Sequence, residues 1–202
     1  MSADAVNNSK RRLLVAATSV VGAVGAGFVA VPFIKSWKPS AKALAAGAPV
    51  LADISKLEEG QMITVEWRGK PVYVLKRTDD NLKVLESDVD MLADVNSDGS
   101  KQPEYCKNSA RSYDAHQKVS VMEGVCTHLG CAPKFVPDLN NPFAGSLGDG
   151  WKGGFFCPCH GSIYDLSGRV YKSMPAPKNL PIPPYVFKSD TIILIGQDGG
   201  KA

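Results

Sequence analysis

Histidine is scarce in this chain, with three in 202 residues, and cysteine is limited to five. Aromatic residues make up 8% and the formal net charge is only +3. The cations are spread along the chain and form no dense basic block after residue 50. Nucleic-acid binding therefore has no support. No internal repeat stands out, apart from two short runs that mirror each other. These are Cys126-Thr127-His128-Leu129-Gly130-Cys131 and Cys157-Pro158-Cys159-His160-Gly161-Ser162. They hold four of the five cysteines and two of the three histidines.

Cysteine and histidine are metal ligands, and each run carries one of each at ligand spacing plus one spare cysteine. A [2Fe–2S] cluster needs four protein ligands, and Cys126, His128, Cys157 and His160 supply them. Two thiolates on one iron and two neutral imidazoles on the other make a Rieske-type centre. Replacing thiolates by imidazoles removes negative charge, so the electron enters at about −150 to +300 mV, against about −400 mV for all-cysteine plant-type ferredoxins. If bridged, the spare Cys131 and Cys159 would clip the two loops together. Zinc also takes Cys and His, but its usual spacings are C-x₂₋₄-C and H-x₃₋₅-H. C-x-H followed by C-x-C-H fits those poorly. A scaffold of disulfides alone leaves the paired histidines unexplained.

With CTHLGC and CPCHGS-x-Y in place, the chain resembles the Rieske iron–sulfur subunits of ubiquinol–cytochrome c reductases, in their proteobacterial form. The resemblance spans nearly the whole chain. It implies that Cys126 and Cys157 bind one iron, His128 and His160 the other, and that Cys131 and Cys159 form a disulfide. It also implies hydroxyl donors to the cluster sulfurs at Ser162 and Tyr164, and a shielding role for Leu129. Residues 173–177 match a proline loop that covers the cluster, although the family's usual glycine is Met174 here. The 28 residues between His128 and Cys157 exceed the mitochondrial spacing. Residues 134–153 are rich in Pro, Asn, Gly and Asp and read as an inserted surface loop.

Residues 13–34 are 22 positions without a charge. As a helix they span about 33 Å, enough for a hydrocarbon core of about 30 Å. Residues 1–12 read as a cytoplasmic tail, in which Lys10-Arg11-Arg12 resembles a twin-arginine export signal. Such a signal suits a protein that crosses the membrane folded. The apolar run exceeds the 7–15 residues of a cleaved signal core, which favours a retained anchor. Ala43-Leu44-Ala45 still has the form of a cleavage site. Basic residues flank both ends of the run, so the positive-inside rule decides little. Residues 35–49, small residues between prolines, read as a flexible hinge.

Residues 50–202 form one domain of ordinary size. Short apolar runs punctuated by turn residues predict a mainly β fold. It is a Rieske-type antiparallel β head with a small cluster-binding subdomain near residues 120–180, tethered to one N-terminal transmembrane helix. Expected hairpins pair 62–67 with 71–76 and 185–188 with 191–195. Strands at 119–122 and 154–156 lead into the two cluster loops, and residues 79–94 are loosely helical. Cys106 is expected to be a free, inert thiol, with an intermolecular bridge as the alternative. His116 is expected at the surface, not as a ligand.

A structural disulfide requires an oxidising compartment. With the export signal and anchor, it places the head in the periplasm of a bacterial inner membrane protein. The resemblance implies an electron-transfer subunit of a quinol–cytochrome c oxidoreductase. His160 would contact ubiquinol and accept its proton, and the electron would pass on to a c-type cytochrome. Implied partners are cytochrome b and c-type cytochrome subunits in a dimeric complex. Two rivals stand beside this reading. One is the Rieske subunit of a periplasmic molybdenum oxidase of the arsenite oxidase kind. The other is a membrane-tethered, zinc-stabilised binding module.

Overall fold

The computed structural model describes residues 7–199, except 88, 139, 141–146 and 148–150. It separates into two units, residues 1–45 and 46–202.

The first unit is a helix, α1 (Asn8–Ser36), followed by a short one, α2 (Ala41–Ala46). The Asn7 side chain caps α1 by accepting from the Lys10 N–H at 3.1 Å. Lys10, Arg11 and Arg12 of the expected tail lie in the first turns of this helix. The helix is longer than the uncharged run that predicts it. Its described side chains are all exposed within its own unit, and its apolar positions lie on every face. A helix apolar all round is made for lipid or for other helices. The Ser40 side chain caps α2 through the Ala43 N–H, so part of the expected hinge is helical.

The second unit contains three antiparallel three-stranded sheets. The first has the order β1 (Val50–Asp53), β9 (Ile192–Ile195), β8 (Tyr185–Ser189). The second is β2 (Met62–Trp67), β3 (Lys70–Lys76), β4 (Val119–Glu123), and the third β5 (Lys134–Val136), β6 (Gly154–Phe156), β7 (Ile163–Tyr164). The expected 62–67 hairpin closes on Arg68 and Gly69, both at positive φ (53° and 71°). Two residues of that conformation match the twist of a tight hairpin.

Strand β3 decides the layering. Its side chains alternate, and both faces are buried. Val72 and Val74 enter a core with Trp67, Val121, Ile182, Tyr185 and Ile193. Tyr73 and Leu75 enter a second core with Met122, Phe155, Leu166, Val170, Leu180, Cys126 and Cys157. A strand covered on both sides reads as an unbroken apolar run. The expected cluster-binding loops thus adjoin their own sheet, while Cys126 and Cys157 share a core with β3 and with Leu85 of α3 (Asp79–Ser87). The expected subdomain edge near residue 120 falls inside β4.

The loop expected over residues 134–153 begins instead as a strand. Lys134, Phe135 and Val136 pair with Phe156, Phe155 and Gly154. Trp151 Nε1 donates to the Val136 carbonyl at 2.9 Å and pins the returning chain. Most of the intervening stretch lies outside the described residues.

Candidate metal centre

Strand β4 runs into residues 126–131 and β6 into residues 157–162. Both loops close with the same two hydrogen bonds. The Cys126 N–H donates to the Cys131 carbonyl (2.8 Å) and the Gly130 N–H to the Cys126 carbonyl (3.0 Å). In the second loop the Cys157 N–H donates to the Ser162 carbonyl (2.8 Å) and the Gly161 N–H to the Cys157 carbonyl (2.9 Å). Each loop turns on a glycine at positive φ, 87° at Gly130 and 79° at Gly161. A Cβ is disfavoured in that conformation.

Cys131 and Cys159 form a disulfide with Cα atoms 6.7 Å apart, joining the loops. The His128 and His160 rings lie 4.8 Å apart between centroids and nearly perpendicular. Cys126 and Cys157 are free thiols, buried in the same core. The Cys131, Cys157 and Cys159 sulfurs lie within 4.8 Å of one another. Two of these are spent in the disulfide, so that trio is not a ligand set.

The donors suit a metal cluster. His128 Nδ1 is buried and has no hydrogen-bond partner among the described residues. An orphaned buried nitrogen is costly. Burial pushes the Cys157 thiol up, and the neighbouring Cys126 thiol adds to the rise, against the N–H groups of Cys159 and His160. Packed thiols of this kind become thiolates only beside strong positive charge, which a metal supplies. His160 is exposed at the surface, as is Leu129, which is 71% accessible at the tip of the first loop.

The hydroxyls are oriented by what they accept. Ser162 is fully buried, and its Oγ accepts the Ala176 N–H at 3.0 Å. Its own proton is left to donate elsewhere. Tyr164 is also fully buried, and its Oη accepts the Thr127 N–H at 3.3 Å. That oxygen lies 3.2 Å from Cys126 Sγ, within hydrogen-bonding distance of a candidate ligand sulfur. Burial is the first cause holding the phenol protonated, with the Cys126 thiol next.

The loop at 173–177 is tied to both runs. Ala176 bonds Ser162, and Thr127 Oγ1 donates to the Lys178 carbonyl at 2.6 Å. Positive φ occurs at Ser173 (60°), not at Met174. The departure from glycine is thereby tolerated, and the Met174 side chain packs against the second core.

Some positions carry no sequence signal. Asn179 accepts the Val170 N–H and donates to the Asp94 carbonyl and Ser97 Oγ, anchoring the chain just beyond the proline loop. Three arginines, Arg77, Arg111 and Arg169, are at most 1% exposed. They come from distant parts of the chain, so no local pattern announces them. His116 is half-buried and stacks on Phe187 at 3.9 Å, away from both loops in its contacts. Cys106 is fully buried, which removes the intermolecular bridge, and burial pushes its thiol up to about 11.

Residues 89–184 match the Rieske [2Fe-2S] domain family. Residues 1–40 match the family described as the ubiquitinol-cytochrome C reductase Fe-S subunit TAT signal. The ubiquinol-cytochrome c reductase iron-sulfur subunit of Allochromatium vinosum is 55% identical over 202 residues, covering 100% of this chain and 95% of that one. That of Blastochloris viridis is 45% identical, covering 96% and 97%. A chain of a hyperthermophilic respiratory Complex III is 25% identical over 90% of this chain and 98% of that one, with a TM-score of 0.43. The relatives favour neither the molybdenum-oxidase nor the zinc-module alternative. The chain belongs to the iron–sulfur subunits of ubiquinol–cytochrome c reductase, begins with a helix long and apolar enough to cross a membrane, and carries one Rieske [2Fe–2S] cluster as an electron-transfer component of that oxidoreductase.

Proposed function

We propose that Cys126, His128, Cys157 and His160 hold the cluster, and that His160 meets ubiquinol and takes its proton. The observation that supports this most is the pairing of His128 and His160, 4.8 Å apart beside two buried free thiols. Of the two, His160 is exposed while His128 keeps a buried, unpartnered nitrogen. His160 is thus the more open of the two to a partner.

When bound, a cluster with two imidazole ligands supplies a one-electron acceptor of high potential. Everything else is the work of side chains. With one nitrogen on iron, the exposed His160 would need its outer nitrogen deprotonated to accept the quinol hydroxyl's hydrogen bond and then its proton, which passes to solvent. Ser162 and Tyr164 direct O–H protons toward the sulfurs, where negative charge accumulates. The disulfide and the Thr127–Lys178 hydrogen bond keep the loops rigid, so His160 is presented in one position. Leu129 shields the site from water once it is docked. The head then delivers the electron to a c-type cytochrome, moving on residues 35–49.

We place the head in the periplasm of a bacterial inner membrane protein, spanning once, with cytochrome b and a c-type cytochrome in a dimeric complex. The export-type N-terminus and the disulfide support that side. The test is the purified membrane complex. A Rieske-type electron paramagnetic resonance signal after reduction, with b-type haem present and ubiquinol-dependent cytochrome c reduction, is expected. Stoichiometric zinc without such a signal would overturn the ligand assignment. Protease added outside spheroplasts should remove the head, and protection of the head would refute its periplasmic location.

A further inference from the structure

Residues 165–169 directly follow Tyr164 and are wrapped by buried charge. Arg77 donates to the Ala110 and Gln117 carbonyls and to Ser112 and Ser167 Oγ. Arg111 donates to Gln102 Oε1 and to the Ser167 and Leu180 carbonyls. Arg169 donates to Asp165 Oδ2 at 2.6 Å and to the Leu85 carbonyl. All three guanidiniums are at most 1% exposed. Asp165 is their one buried carboxylate partner among the described residues, and Arg169 takes it. The other buried carboxylate, Glu123, faces Lys70. Arg77 and Arg111 therefore bind only neutral oxygens, and two positive charges stay uncompensated by an ion pair.

These charges act through an apolar medium. A Cβ at Gly168 would lie 3.4 Å from Arg111 Nη1 and 3.0 Å from Met122 Sδ. Met122, Leu166 and Leu180 belong to the same core as Cys126, Cys157 and Tyr164. Charge that water cannot reach is poorly screened. Holding the two arginines there is costly, and Arg111 carries a further cost in its left-handed backbone (φ 49°). A loop that needed only hydrogen-bond donors would be held as well by amides or hydroxyls.

We propose that Arg77 and Arg111 are electrostatic tuning residues that raise the reduction potential of the cluster bound by the second core. The proposal rests on the cluster reading above. The added electron makes the site more negative, so fixed positive charge in the adjoining core favours reduction. The buried Asp165 carboxylate opposes this. Hydrogen bonds to the sulfurs are a separate contribution, made by Ser162 and Tyr164.

Charge and hydrogen bonding are separable by substitution. Arg111→Gln and Arg111→Lys both disturb the fork of donors, but only the first removes charge. The experiment is a redox titration of the purified complex, followed by electron paramagnetic resonance, with thermal melting run in parallel. Arg111→Gln should lower the midpoint potential, and Arg111→Lys should leave it near the parent value. Asp165→Asn keeps an oxygen for the Ser167 and Arg169 N–H groups and removes the negative charge, so it should raise the potential. Unpaired shifts in the same direction for the Lys and Gln variants, or a lower potential in Asp165→Asn, would overturn the proposal and leave the arginines as loop anchors. If Arg111 variants lose the protein, the Arg77→Lys and Arg77→Gln pair carries the same test. Absence of the Rieske signal in the parent protein would instead refute the cluster reading.

Discussion

Replacing Tyr164 by Phe removes one oxygen from a fully buried ring and leaves the ring's packing intact. That oxygen accepts the Thr127 N–H and lies 3.2 Å from Cys126 Sγ. A neutral hydrogen bond contributes about 1 kcal/mol net, and one to a charged acceptor about twice that. Reduction of the cluster makes its sulfurs more negative, so the hydroxyl favours the reduced state by about 1 kcal/mol. For a one-electron couple about 59 mV corresponds to 1.4 kcal/mol. Tyr164→Phe should therefore lower the midpoint potential by about 40 mV while the cluster stays bound. Ser162 acts from the other loop, through a hydroxyl held by Ala176. Ser162→Ala should lower the potential as well. The stranded Thr127 N–H should also cost about 1 kcal/mol or more of stability. A redox titration of the purified complex measures the potentials, and thermal melting the stability. An unchanged or raised potential with full cluster occupancy would refute the assignment of these hydrogen bonds.

Replacing both Cys131 and Cys159 by Ser opens a link across a sequence separation of 28, worth about 3–4 kcal/mol in the chain-entropy account. The double variant should lose much of its cluster, measured as iron per protein. Full iron content at unchanged melting temperature would show that the loops hold themselves. Cys106 should resist maleimide in the folded protein and react once it is unfolded. Its thiol ionises at about 11 against 9.0 for an ordinary one. The folded state therefore keeps its proton longer than the unfolded state. The resulting stability is complete below pH 9 and disappears as pH rises to about 11, so Cys106→Ala should flatten the alkaline loss of stability. Finally, the midpoint potential should fall as the medium becomes alkaline, because the proposed electron uptake carries a proton to His160. A potential constant from neutral to strongly alkaline pH would exclude that coupling.

The cluster loops were legible because their chemistry is local. Cys126 with His128 and Cys157 with His160 each lie within one turn of chain, so their spacing proposes a ligand pair before any fold is known. The hairpins at Met62–Trp67 and Tyr185–Ser189 were legible for the same reason, since turn residues and apolar alternation are neighbours in sequence. Strands β1, β5 and β7 were not. They are short, and β1 and β5 owe their form to partners well along the chain, Ile192–Ile195 for β1 and Gly154–Phe156 for β5, while the two-residue β7 is too brief to show alternation. The 134–153 stretch shows the limit clearly. Its turn-rich composition describes the excursion but not the edge strand that begins it.

Composition and spacing alone thus determined a metal site, an apolar anchor and a mainly β head, because each is written in contiguous residues. Tertiary structure alone decided that His160 is exposed and that His128 keeps a buried nitrogen. It also decided which oxygens and N–H groups orient Ser162 and Tyr164, and that Arg77, Arg111 and Arg169 meet in one buried place. Those facts depend on pairwise proximity between segments up to 90 residues apart, such as Arg77 with Ser167. No local pattern records such proximity, because burial and hydrogen-bond geometry exist only once the chain has closed on itself.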